Sequence, residues 1–179
     1  KTFHKKHLVW LKTKKSDEES QHKGSSSFFN ESEIKRIKTT LDFLNKSYEK
    51  IEKKPSVGVI TFYGSQLSEL TSLEKKGFWR LPREDRNYPH LDIRFGTVDR
   101  FQGQEKDIII VSLVRNNKKH EVGFAKKPHR INVAFSRARN LLIIVGNPDN
   151  FRFGNNEKSA QQYDEIFNIA KKFGSVKGE

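Results

Sequence analysis

Three near-continuous apolar runs rich in β-branched residues, at 57–62, 108–114 and 141–145, constrain this chain more than any other feature of its sequence. A strand with one wet face alternates apolar and polar residues, whereas I-I-I-V at 108–111 leaves no polar face, so both faces need cover. Parallel sheets packed between helices supply that cover. Further strands are expected at 8–11 and 91–95. Between the strands, apolar residues recur at helical spacing: Ile34, Ile37, Leu41, Leu44, Tyr48 and Ile51, then Leu67, Leu70 and Leu73. A third helix is expected at 130–139, and a last one carries Ala160, Tyr163, Ile166, Phe167, Ala170 and Phe173 and is capped by Gly174. Asn30 with Glu33 reads as a capping box opening the first helix, which stops before Pro55. Strands alternating with helices imply an α/β fold with a mainly parallel sheet and right-handed crossovers. Residues 13–29 read as a flexible polar loop and 78–90 as an irregular segment with two prolines. The whole of 1–179 reads as one domain.

Charge narrows the possible partners. Lys and Arg number 35 against 22 Asp and Glu, a net charge of +13, with clusters at Lys5-Lys6, Lys14-Lys15, Lys118-Lys119, Lys126-Lys127 and Lys171-Lys172. Such an excess favours a polyanionic partner, nucleic acid foremost, over a merely solvated surface. The absence of cysteine removes disulfides, thiolate zinc sites and thiol nucleophiles. No apolar run reaches the ~18 residues of a membrane span and none resembles a secretion signal, so an intracellular protein without a membrane partner is expected. With lysine first and no methionine anywhere, the chain reads as a fragment or a processed product that works with a missing neighbour.

In open parallel sheets ligands sit outside the carboxyl ends of the strands, which directs attention to the polar segments leaving them. One spans 61–66, another 96–105, and the third is the 130–139 helix. On that helix Ile131, Ala134, Phe135 and Ala138 form a buried stripe, which leaves Arg130 and Arg137 on one flank and Arg139 outward. Gly103 marks either a tight turn or a close backbone approach. Thr97, Gln102 and Glu105 have the groups to hydrogen-bond phosphate, sugar or water. The histidines form no ligand pair, and no carboxylate set suggests a metal cage. There is also no G-x-x-x-x-G-K-[ST] loop, so nothing here cradles nucleotide phosphates unaided.

Together these segments resemble superfamily 1 helicases. V-G-V-I-T-F-Y at 57–63 is similar to their fourth motif, T-V-D-R-F-Q-G-Q-E-K-D at 97–107 to the fifth, and R-I-N-V-A-F-S-R-A-R at 130–139 to the sixth. The nearest likeness is to the up-frameshift and senataxin-like branch, with its F-Q-G-x-E-x-D and N-V-A-x-[ST]-R-A-R signatures. Phe62 stands where relatives commonly have proline, Phe135-Ser136 replaces Leu-Thr, and Lys126-Lys127-Pro128-His129 replaces a stretch that is often acidic and arginine-rich.

The resemblance implies a C-terminal RecA-like domain, a three-layer sandwich that forms the second half of a two-domain motor. ATP and Mg2+ would be shared with an N-terminal RecA-like domain that carries the phosphate loop. Arg137 would be the arginine finger meeting the γ-phosphate, its planar fork suited to charge spread over phosphoryl oxygens. Glu105 and the backbone at Gly103 would face the nucleotide, and Gln102 would link that site to the nucleic-acid track. Of Arg130 and Arg139, one would brace the domain interface and the other would be structural, with Arg130 counted among the nucleotide-site residues. Thr97, Thr61 and Tyr63 would touch a single strand of DNA or RNA, and translocation would run 5′ to 3′. The rival reading is a degenerate basic module that binds nucleic acid or protein without hydrolysing ATP.

Overall fold

The computed structural model describes residues 7–75 and 88–178, with side chains omitted at 73–75. Lys5-Lys6 and most of the irregular 78–90 segment therefore lie outside the described residues. The strands are β1 (Leu8–Leu11), β2 (Ser20–Gln21), β3 (Phe28–Phe29), β4 (Ser56–Thr61), β5 (Asp92–Thr97), β6 (Lys106–Ser112), β7 (Ala138–Val145) and β8 (Ser175–Lys177). The α-helices are α1 (Glu31–Ser47), α2 (Gly64–Lys75), α3 (Pro128–Phe135), α4 (Pro148–Arg152) and α5 (Glu157–Phe173). Six strands form one sheet in the order β5-β4-β6-β7-β1-β8, and every pairing in it is parallel. The apolar runs call for such a covered parallel α/β sheet, and its RecA-like form is the one the family resemblance implies.

The continuous runs are explained by the two cores they feed. Ile109 and Val111 point into one cluster with Trp10, Phe101, Ala134, Ile144, Tyr163 and Ala170, beneath α3 and α5. Ile108 and Ile110 alternate into the other with Ile34, Ile37, Leu41, Leu44, Val57 and Ile143, beneath α1 and α2. With a period of two and apolar cover on both sides, the buried middle of β6, Ile108 to Val111, is apolar at every position. Phe101 lies across β4 and β5 where Gly58 and Gly96 leave room, since a Cβ on either would come within 2.8 Å of its ring.

Four local expectations are revised. Residues 13–29 are not simply a loop: β2 and β3 form a small antiparallel hairpin against α2. It is held by Glu19, which accepts from Arg115 Nε at 2.9 Å and from the Asn116 backbone N–H. The third helix ends at Phe135, because Ser136 N–H closes its last turn on Asn132 and Ala138 already pairs with Lys106 in β7. The first helix stops at Ser47, leaving Ile51 exposed beyond it. Its capping box is half built: Asn30 accepts from Glu33 N–H at 3.1 Å, but the Glu33 carboxyl turns inward to Ser112 Oγ at 2.6 Å and Val114 N–H at 2.9 Å.

Candidate functional site

Because the sheet is parallel, its strands share one amino edge and one carboxyl edge, and the motif residues divide between the two. The 98–105 segment starts at the carboxyl end of β5 and returns to the amino end of β6. A 3-10 turn at Val98–Phe101 opens it. A second turn follows, in which Gln102 (φ −59°, ψ 128°) and Gly103 (φ 75°) bring Gln104 N–H onto Phe101 O at 3.0 Å. That is a type II turn, whose third position requires positive φ and so glycine. Of the two readings of Gly103, the tight turn is the one observed, and a Cβ there would meet nothing within 4 Å.

The amino edge gathers Glu105, Arg137 and Arg139, not the carboxyl edge where the ligand-facing loops are expected. Lys106 N–H donates to Arg137 O at 3.0 Å, which sets Arg137 beside the start of β6. A register irregularity between β6 and β7 follows immediately, with Lys106 opposite Ala138 but Ile108 opposite Leu141. Bulges of this kind redirect side chains at strand ends. Arg139 Nε here reaches Glu105 Oε2 at 3.1 Å, an exposed pair. Asp107 next to it accepts from Ser56 N–H and Oγ, both at 2.8 Å, and these bonds hold its carboxyl below the usual carboxylate range.

Arg137 differs from its neighbours in having no carboxylate partner among the described residues. Its Nε donates to Val133 O at 3.3 Å and its Nη2 to Ser136 Oγ at 2.8 Å, while the side chain stays partly exposed. Both acceptors are neutral, so they orient the guanidinium and leave its charge uncompensated. The expected shared flank with Arg130 does not exist, since Arg137 follows the end of α3. Arg130 sits in the first turns of α3, at the opposite edge, and grips Asp99 with two bonds of 3.1 and 2.8 Å. That bidentate clamp ties α3 to the segment just after Thr97.

At the carboxyl edge Thr97 is half-buried, paired across from Thr61. Thr61 is fully buried and Tyr63 is 1% exposed, so neither offers surface of its own to a strand. Tyr63 Oη instead accepts from Phe124 N–H at 3.1 Å and lies 3.3 Å from Val122 O. Burial pushes the Tyr63 hydroxyl's pKa upward. Sequence reasoning passed over Arg115, which is 6% exposed, contacts Glu19 and Glu121, and lies 4.0 Å over the Phe28 ring. It also passed over Phe124, half exposed above Tyr63. Among the described residues no helix is long and apolar enough to cross a membrane.

A protein-family model described as an AAA domain matches residues 1–149. The DNA polymerase alpha-associated DNA helicase A of Saccharomyces cerevisiae is 39% identical over 145 residues, covering 78% of this chain and 19% of that protein. Helicase sen1 of Schizosaccharomyces pombe is 37% identical over 126 residues, 70% of this chain and 7% of its own length. A regulator of nonsense transcripts 1 homolog of Drosophila melanogaster is 39% identical over 124 residues, 69% of this chain and 10% of its own. The chain thus spans less than a fifth of each of these relatives. With the parallel RecA-like sheet and the fourth, fifth and sixth motif segments in order along it, the chain belongs to the superfamily 1 helicases, in the up-frameshift and senataxin-like branch.

Proposed function

We propose that this chain is the second motor domain of an ATP-dependent helicase, completing a nucleotide site from its amino edge and holding single-stranded nucleic acid at its carboxyl edge. The observation that carries the reading is Arg137. Its guanidinium is oriented by two neutral acceptors, reaches solvent and has no carboxylate partner among the described residues. An arginine so placed suits an anionic phosphoryl group arriving from a facing domain. ATP with Mg2+ supplies the phosphoryl group whose transfer to water drives the cycle. Arg137 neutralises charge on that group, Glu105 with the turn at Gly103 meets the nucleotide's sugar and phosphate side, and Arg139 holds Glu105 in place until then. Gln102, exposed in the same turn, stands between the nucleotide edge and the segment that returns to Thr97.

Arg130 braces the domain interface, held in place by its clamp on Asp99. Thr97 contacts the strand directly, and Thr61 and Tyr63 act from beneath the surface. The phosphate loop comes from an N-terminal RecA-like domain, and movement is 5′ to 3′, as the likeness to this branch implies.

The test is ATP hydrolysis by a polypeptide joining this chain to its phosphate-loop domain, with and without single-stranded DNA or RNA. Turnover stimulated by either strand supports the reading. Strand binding with no stimulated turnover overturns it in favour of a basic binding module.

A further inference from the structure

Phe124 combines three properties that together suit a contact surface. It is 50% exposed, it is anchored to the buried Tyr63 side chain, and it stands among cations at the carboxyl edge. The mount is specific: Tyr63 Oη accepts the Phe124 N–H at 3.1 Å, and the Tyr63 ring packs against the Phe124 ring with centroids 5.5 Å apart. Gly123 before it has φ 60°, and a Cβ there would collide with Tyr63 Oη, so only glycine lets the backbone approach. Lys126 and Lys127 follow, and the Arg130 guanidinium lies 5.7 Å from the Phe124 centroid. Both lysines are exposed. Beside the ring is a hollow of about 300 Å³ lined by Phe28, Tyr63, Phe124, Arg115, Lys126 and Lys127. The more exposed Phe153 and Phe173 lie on other elements, beside Arg152 and Lys172.

We infer that Phe124 is a base-stacking platform for single-stranded nucleic acid, with Lys126 and Lys127 neutralising the flanking phosphates. An aromatic face interleaved with lysines matches a single strand in both of its chemistries, since every base has a π face and every linkage a negative charge. A partner protein would need matching acidic groups at the same spacing. The nucleic acid already carries them. Tyr63, buried and bonded to the Phe124 backbone, then acts as a positioning residue. The inference rests on the nucleic-acid motor reading above and adds the residue that holds the base.

The experiment compares binding of this chain to short oligo(dT), oligo(U) and an abasic strand of equal length, across a salt series. Wild-type chain should prefer the base-bearing strands over the abasic one by about 5- to 150-fold, the loss on removing one stacked aromatic. Phe124→Ala should erase that preference with the salt slope unchanged, and Phe124→Trp should restore it. The double change Lys126→Ala, Lys127→Ala should instead lower the salt slope by roughly 1.4, at about 0.7 per phosphate contact, and leave the preference. Salt-sensitive binding with a preference that survives Phe124→Ala overturns the platform alone. No binding of any strand by the wild type overturns the nucleic-acid reading with it.

Discussion

Glu33 shows how burial sets the behaviour of a single group. Its carboxyl is fully buried, accepts from Ser112 Oγ and Val114 N–H, and is pushed up to about 8 chiefly by desolvation, which those hydrogen bonds only partly offset. The Glu19 carboxylate adds a smaller upward push. A folded-state value above the unfolded one means that the folded chain binds the extra proton. The associated stability is complete below about 4.5 and is lost as pH rises through about 8. Wild-type stability should therefore fall by a few kcal/mol between pH 5 and 8, since each tenfold difference in proton affinity between the folded and unfolded chain is worth ~1.4 kcal/mol. Glu33→Gln, which keeps the shape of the neutral acid, should flatten that fall, as denaturant titrations at several pH values will check. Gly103 and Gly123 make a second contrast. Both have positive φ, but only Gly123 is also crowded. Gly103→Ala should cost ~1–2 kcal/mol from backbone strain alone, and Gly123→Ala should cost more because Tyr63 must move.

Among the elements, the β2–β3 hairpin depends on a residue far along the chain. Arg115 and Glu19 are both nearly buried and bonded at 2.9 Å, and Glu19 also accepts from Asn117 Nδ2 at 3.0 Å. Arg115→Ala would leave a buried carboxylate short of its cation, at a cost of ~3–5 kcal/mol. Hydrogen exchange should rise across residues 13–29 before it rises in the sheet. If exchange there is unchanged, the pair does not hold the hairpin. This element could not be read from the sequence, because two-residue strands carry no periodicity and their anchor arrives 96 positions later. The central strands were legible for the opposite reason, since cover on both faces writes itself as an unbroken apolar run. The end of α3 is hard to place from sequence because Ala138 fits a helical stripe as well as it fits the first pair of β7.

Across the whole molecule, one sheet separates the two edges to which we assign nucleotide and strand. Glu105 and Arg137 stand at the amino edge, whereas Thr97, Phe124 and the Arg130–Asp99 clamp stand at the carboxyl edge, with the 98–105 segment and α3 running between them. Motif likeness singles out Arg137 and Glu105 but leaves their edge unknown, because only strand direction tells the edges apart. Phe124 is hidden for a related reason: exposure of an aromatic is a property of the fold. With a net charge of +13, strand affinity should fall linearly with log salt, with a slope of about −0.7 for each phosphate neutralised. A slope near zero in a binding titration would show that the charge serves another purpose.

The central claim is that Arg137 completes a nucleotide site, and its most direct test is turnover by Arg137→Ala in the polypeptide joining this chain to its phosphate-loop domain. With saturating single strand, kcat for ATP should fall by ~10³–10⁵-fold while nucleotide and strand binding persist. Arg137→Lys should rescue little of this loss, because an ammonium lacks the planar fork. Turnover within about tenfold of wild type in Arg137→Ala would contradict the account, being far less than a phosphoryl-transfer finger supplies.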